Sequence, residues 1–243
     1  MRPFAFLIVL LAAVSPADAD VVLVNESITR ATFQAGANES YTVITVKIKG
    51  DRRRTDIEVK GVVGSPLDSS TIVDGSNGTV VRLAHARKTY DRVTAEEQER
   101  QIAATRDLLS NRGTLPTSRP VLKPTGRTNA MRGYQVAEYT ATRAQGNMTS
   151  TLTYWLAPSL ARFVTVLAQV ADPVAAVLNL QFPDPAAFAG VPVQTIIDQR
   201  MAMGQVLTTI NLLSLEEKAV ADSEFAIPRD YVEAAPQRPL ARP

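Results

Sequence analysis

The 243-residue chain contains no cysteine, one histidine and one tryptophan. Without a thiol it can form no disulfide framework, no cysteine nucleophile and no acylated lipoprotein cysteine, so stability must come from an ordinary apolar core. A lone histidine, His85, excludes a multi-histidine metal centre, and any serine triad would have to use it. The nucleophile elbow G-x-S-x-G is missing as well. His85 falls between two strand candidates and reads as a turn or surface residue. Neither sign of charge dominates, with 26 Lys and Arg against 24 Asp and Glu. The pI near 9.0 is therefore a small excess rather than a basic stripe, and no nucleic-acid partner is expected. The most apolar stretch after the N-terminus, from Pro158 to Phe182, is interrupted by Arg162, Gln169, Asp172 and Pro173. A membrane span needs about twenty predominantly apolar residues, so no stable transmembrane segment is expected. Nothing in the pattern calls for a cofactor or a metal.

What is present begins with an export signal. Arg2 supplies a positive start, Phe4 to Val14 an apolar stretch, and Ala17-Asp18-Ala19 a small-x-small site with cleavage before Asp20. Residues 1–19 are expected to be removed from an exported, periplasmic or secreted protein. With 45% apolar and 21% charged residues, the chain as a whole has the composition of a folded protein. One domain is expected over residues 20–233. Residues 234–243, rich in proline, read as a flexible tail.

Strand signals recur along that domain. Val21 to Phe33 is the first candidate, and Tyr41 to Lys49 alternates with Ile44, Val46 and Ile48 on one side and Thr45, Lys47 and Lys49 on the other. Gly50-Asp51 turns the chain into Arg54 to Val59, with Ile57 and Val59 inward and Asp56 and Glu58 outward. Arg52-Arg53-Arg54 at this tip reads as a solvated turn or an anion-binding patch. Ser70 to Val73, Thr79 to Leu83 and Lys88 to Val93 follow. Thr94 and Glu97 then form a capping box for a helix over 94–112. An approach strand from Lys123 leads into a hairpin, Tyr134 to Arg143 and Met148 to Trp155, which is expected at the centre of the sheet. A second helical stretch is expected over 159–182. The last strands are Val193 to Met203 and Gln205 to Leu215. Asn25, Asn38, Asn77 and Asn147 open N-x-S/T triplets and read as loop asparagines.

Five segments occur in order: K-G-D-R-R-R-T-D-I (Lys49 to Ile57), A-R-K-T-Y (Ala86 to Tyr90), P-T-G-R-T-N-A-M-R-G-Y-Q-V-A-E-Y (Pro124 to Tyr139), Y-W-L-A-P-S-L (Tyr154 to Leu160) and F-A-I-P-R-D-Y (Phe225 to Tyr231). Together they resemble an uncharacterised exported bacterial domain family, grouped by fold with the periplasmic lipoprotein carrier LolA and its receptor LolB. The resemblance implies an α+β fold: a strongly curved, unclosed antiparallel sheet, or half-barrel, with helices covering a concave apolar face that accepts acyl chains. In the carrier an arginine near the early strands helps hold the lid helices, and Arg53 or Arg54 lies in a comparable region.

On this reading the protein is not an enzyme but binds a lipid, a lipoprotein acyl chain or another amphiphile. Ile44, Val46, Ile48, Ile57, Val59, Leu83, Leu152, Trp155, Phe163 and Leu167 are the candidates for the cavity wall and lid. The plainer expectation for each is that it fills the core, since apolar periodicity signals burial before it signals a ligand. The competing reading is an envelope protein-interaction or assembly module with a filled interior, and a hydrolase is the third.

Overall fold

The computed structural model describes residues 20–34, 36–61, 64–111, 119–145, 148–165 and 182–234. They form a single twelve-stranded sheet: β1 (Val21–Phe33), β2 (Gly36–Lys49), β3 (Arg52–Val59), β4 (Ser69–Asp74), β5 (Thr79–Ala84), β6 (Thr89–Val93), β7 (Lys123–Met131), β8 (Tyr134–Gln145), β9 (Met148–Ala157), β10 (Val191–Met201), β11 (Gly204–Glu217) and β12 (Val232–Glu233). Their order is β12-β6-β5-β4-β3-β2-β1-β11-β10-β9-β8-β7, so the sheet does not close. Neighbours pair antiparallel except β12, which adds a short parallel edge to β6. The hairpin β8–β9 lies near one end, not at the centre as expected. The middle is held by β1, which pairs with β2 on one side and β11 on the other along its whole length. That long-range pairing of the two chain ends leaves no local sequence signal.

The sheet is strongly curved. Strands lie about 4.8 Å apart, so in a flat sheet β8 would stand roughly 19 Å from β1. Yet Arg132, in the turn between β7 and β8, donates to Glu26 on β1 at 2.8 Å. Arg132 (φ 51°) and Gly133 (φ 84°) both sit in the left-handed region, which a two-residue turn requires if its twist is to match that of the strands. Glu26 also accepts from Asn211 Nδ2 at 3.1 Å and from Tyr41 OH at 2.8 Å. Its register partners run Asn211, Gln194, Trp155 and Glu138 across the sheet, marking this row as the concave side.

Three apolar clusters hold the fold. The largest joins Val21, Leu23, Val46 and Ile48 to Val136, Leu160, Phe163, Val191, Val193 and Leu212, with Trp155 and Ile44 packed against it. The second is Ala141, Leu152, Tyr154 and Leu156, covered by Phe182 and Phe188. The third, Ile72, Val81 and Leu83, lies beneath Tyr90, Phe225, Ile227 and Tyr231.

Helix α1 (Ala95–Asn111) starts on the predicted capping box: Glu97 N–H donates to Thr94 Oγ1 at 3.3 Å, and Thr94 N–H returns to Glu97 Oε2 at 3.0 Å. It is moored by the buried Gln98, whose amide donates to the Gly78 carbonyl. None of its described side chains enters an apolar cluster. The expected helical cover on the concave face therefore reduces, among the described residues, to the 3-10 turn Pro158–Phe163, which inserts Leu160 and Phe163. Most of the second expected helix, the export signal and the tail beyond Ala234 lie outside the described residues.

Candidate functional site

The chemistry-bearing residues converge on the face of β2–β6 that carries the third cluster. Strand register places Lys47, Arg54, Ile72, Val81 and Arg92 in one row across five strands, and Thr45, Asp56, Ser70, Leu83 and Tyr90 in the row beside it. A C-terminal strap, residues 218–231, crosses this face before ending in β12. Its start is tied down by Asp20, which accepts from the Lys218 and Val220 amides. Lys49 Nζ then donates to the Val220 carbonyl at 2.9 Å, Arg52 to Asp222 at 2.5 Å, and Lys47 to Glu224 at 2.7 Å. The Arg52 guanidinium stacks 4.9 Å from the Phe225 ring centroid. Hydrogen bonds from Arg52 and Lys49 hold the Asp222 carboxyl below the usual carboxylate range. Arg52 and Arg54 of the basic run are thus engaged by the chain's own acids, and Arg53 between them is buried.

Arg54 is the centre of the lock. It donates to Asp56 Oδ1 at 2.6 Å, to the Glu224 carbonyl at 2.7 Å and to Ser70 Oγ at 3.2 Å. Ser70 Oγ lies 2.5 Å from Asp56 Oδ1 and 2.7 Å from His85 Nε2, and His85 Nδ1 lies 2.6 Å from Tyr231 OH on the strap. An ionised carboxylate only accepts and a guanidinium only donates, so Ser70 gives its single proton to Asp56. His85 then donates Nε2–H to Ser70, and its Nδ1 is hydrogen-bonded to Tyr231 OH. Ser70 is 1% exposed. This Ser–His–Asp grouping fastens the strap to β3 and β4. His85, read from sequence as a turn residue, does sit in a 3-10 turn, yet both of its nitrogens bridge elements far apart in the chain.

Beside the strap lie two clefts that share Arg92. A groove of about 400 Å³ has Ile72 and Val81 as its floor, Phe225 and Ile227 from the strap as its wall, and Asp74 and Arg92 at its rim. A larger open cleft of about 1130 Å³ surrounds β6 and the end of β12, lined among others by Arg82, Arg87, Tyr90, Arg92, Val93 and Glu233. Arg82 is paired with Asp91 at 3.6 Å.

The sequence-derived wall is brought together only in part. Ile44, Val46, Ile48, Trp155 and Phe163 do meet in the first cluster. Leu152 belongs to the second cluster, because side chains three apart on β9 point to opposite faces and Trp155 takes the concave one. Leu83 belongs to the third, on the reverse of Val46. Ile57 and Val59 are half-buried and join none of the three, and Leu167 lies outside the described residues. The strap residues Phe225 and Ile227 were missed as site residues. Their signal was the motif F-A-I-P-R-D-Y, apolar side chains within a segment without strand or helix periodicity.

No curated protein matches the chain. Among solved structures it is similar to PNGF-II, at 13% identity over 88% of this chain and 31% of that one, with a TM-score of 0.35. It thus spans about a third of the PNGF-II chain. It is also similar to a putative outer membrane lipoprotein-sorting protein domain from Vibrio parahaemolyticus (10% identity, 85% and 89% covered, TM-score 0.30) and to a DUF1329 family protein from Desulfovibrio piger (9%, 86% and 90%, TM-score 0.32). At such TM-scores these likenesses carry no functional argument. The family profile described as domain of unknown function DUF4412 matches residues 31–231, from within the first strand to the strap tyrosine, and the chain belongs to that family.

Proposed function

We propose that this is an exported binding module for a small amphiphile, acting without catalysis, and that the ligand's apolar part lies in the groove between β4–β5 and the strap. The observation that carries this reading is the pairing of an apolar floor and wall, Ile72, Val81, Phe225 and Ile227, with a charged rim at Asp74 and Arg92. A volume of about 400 Å³ lies within the range of small-molecule sites. Each methylene buried there contributes about 0.8 kcal/mol, so a six-carbon segment supplies about 5 kcal/mol before association costs. Among the described residues the first cluster joins Ile44, Val46, Ile48, Trp155 and Phe163, and the groove beneath the strap is proposed as the ligand site in place of that wall. Export rests on the N-terminal signal pattern. The non-catalytic reading rests on the burial and proton arrangement of Ser70 and His85.

Protein purified without detergent should take up a fluorescent fatty acid and release it to an unlabelled one, and native mass spectrometry should show the bound species. Ile227→Trp, which fills the groove, should abolish uptake with an unchanged circular-dichroism spectrum. Uptake by the wild type that persists undiminished in Ile227→Trp would remove the groove as the site.

A further inference from the structure

Resting on the amphiphile reading, we infer that the same site selects an anionic headgroup, carboxylate or phosphate, bound by Arg92, with Arg87 in the adjoining cleft. Arg92 is the one described residue that borders both the apolar groove and the larger cleft, and Arg87 lines the latter. It follows Val81 and Ile72 in the same register row, so its stem continues the apolar floor and its guanidinium marks where that floor ends.

Most basic side chains around this face are already neutralised. Lys47 pairs with Glu224, Lys49 and Arg52 with Asp222, Arg54 with Asp56, Arg82 with Asp91, and Lys88 with Asp230. Among the described residues no carboxylate stands within 4.0 Å of Arg87 or Arg92.

The acids near the clefts each have a partner within the chain. Asp74 accepts at both oxygens, from Ser76 N–H, Ser76 Oγ–H and Asn77 Nδ2–H, Asp91 is ion-paired with Arg82 at 3.6 Å, and Glu97 accepts from Thr94 at one oxygen. Glu233 accepts from Tyr90 OH at 3.4 Å. A planar guanidinium with no carboxylate partner, at the end of an apolar groove, offers a fork of N–H donors to two oxygens of one anionic group. The carbon chain then runs back along Val81 and Ile72 under Phe225. A neutral alcohol of equal length would bury the same methylenes and leave that fork to water.

The test uses the full chain, purified without detergent, and three probes with the same chain: decanoate, monodecyl phosphate and decanol. The anionic probes should bind on the order of tenfold tighter than decanol, the scale of one charge-assisted contact. That margin should shrink as salt rises. Arg92→Gln should reduce them to the decanol level and leave decanol unchanged, and Arg87→Gln should give a smaller loss of the same kind. The tighter anionic probe separates a fatty-acid from a phosphate-headgroup source. Equal binding of all three by the wild type, or an equal loss for all three in Arg92→Gln, would overturn the headgroup assignment while leaving the groove intact. Failure of every probe to bind would instead remove the amphiphile reading on which it rests.

Discussion

Replacing Arg54 by alanine tests whether the polar lock, rather than the apolar wall alone, holds the strap. The substitution deletes three hydrogen bonds, to Asp56, Ser70 and the Glu224 carbonyl. A bond to a charged group contributes about 1.5–3 kcal/mol, and removing one partner of a buried pair costs about 3–5 kcal/mol. The Arg54 and Asp56 side chains are 16% and 27% exposed, so water re-solvates part of what is lost. A net cost of about 3 kcal/mol follows, and for a domain of this size that is a fall in Tm of roughly 6–12 °C. The loss should also be local. Hydrogen exchange should accelerate in the strap and β12, where Tyr231 N–H bonds the Pro228 carbonyl and Val232 N–H the Lys88 carbonyl, and stay slow in β8–β9. Arg54→Lys, which keeps the charge but not the fork, should recover part of both effects. A Tm within about 2 °C of wild type together with unchanged exchange in the strap would refute the argument, because a network worth 3 kcal/mol cannot vanish without either trace.

Three further outcomes follow from other parts of the fold. Asp222 is held below its ordinary value of 3.8 by Arg52 and Lys49, so the unfolded chain takes up that proton first. Its contribution is complete above the ordinary carboxylate range and is lost as pH falls through the lower, folded value. Strap exchange should accordingly quicken on acidification, and Asp222→Asn should flatten that dependence. Leu156 is fully buried in the second cluster, and Leu156→Ala should cost about 2–5 kcal/mol by chemical denaturation. At Gly190 a Cβ would stand 2.1 Å from the Ala157 carbonyl oxygen; because that neighbour is backbone, Gly190→Ala should destabilise by about 2–4 kcal/mol in the same assay and loosen the entry to β10.

The strands were legible because alternation is a local property. Val21 to Phe33 is observed as β1, and the predicted strands around Ile44, Ile57, Ile72 and Val81 appear as β2 to β5 within a few residues. The capping box at Thr94 and Glu97 was legible for the same reason: its two hydrogen bonds span three residues. Strand order was not. The hairpin ending at Trp155 has strong local signals but lies near an edge, while β1 is central because β11 returns to it from far along the chain. Placing Leu152 and Trp155 on one wall failed for a simpler reason, since an odd spacing on a strand sends side chains to opposite faces. The arginine run was visible as a cluster of charge, but whether it met solvent, a ligand or the chain's own acids depended on where residues 218–231 went.

The sequence by itself determined that this is a cysteine-free chain with an export-signal pattern and many alternating strands, because composition and period-two burial need nothing beyond near neighbours. It also supplied the motif segments at Lys49 to Ile57, Ala86 to Tyr90 and Phe225 to Tyr231, without showing that they belong together. Only the tertiary structure decided that Arg54, His85 and Tyr231 form one lock and that Ile72, Val81, Phe225 and Ile227 enclose one groove. Those contacts join residues more than a hundred positions apart, and such distances are set by the curvature of the whole sheet and the path of the strap across it.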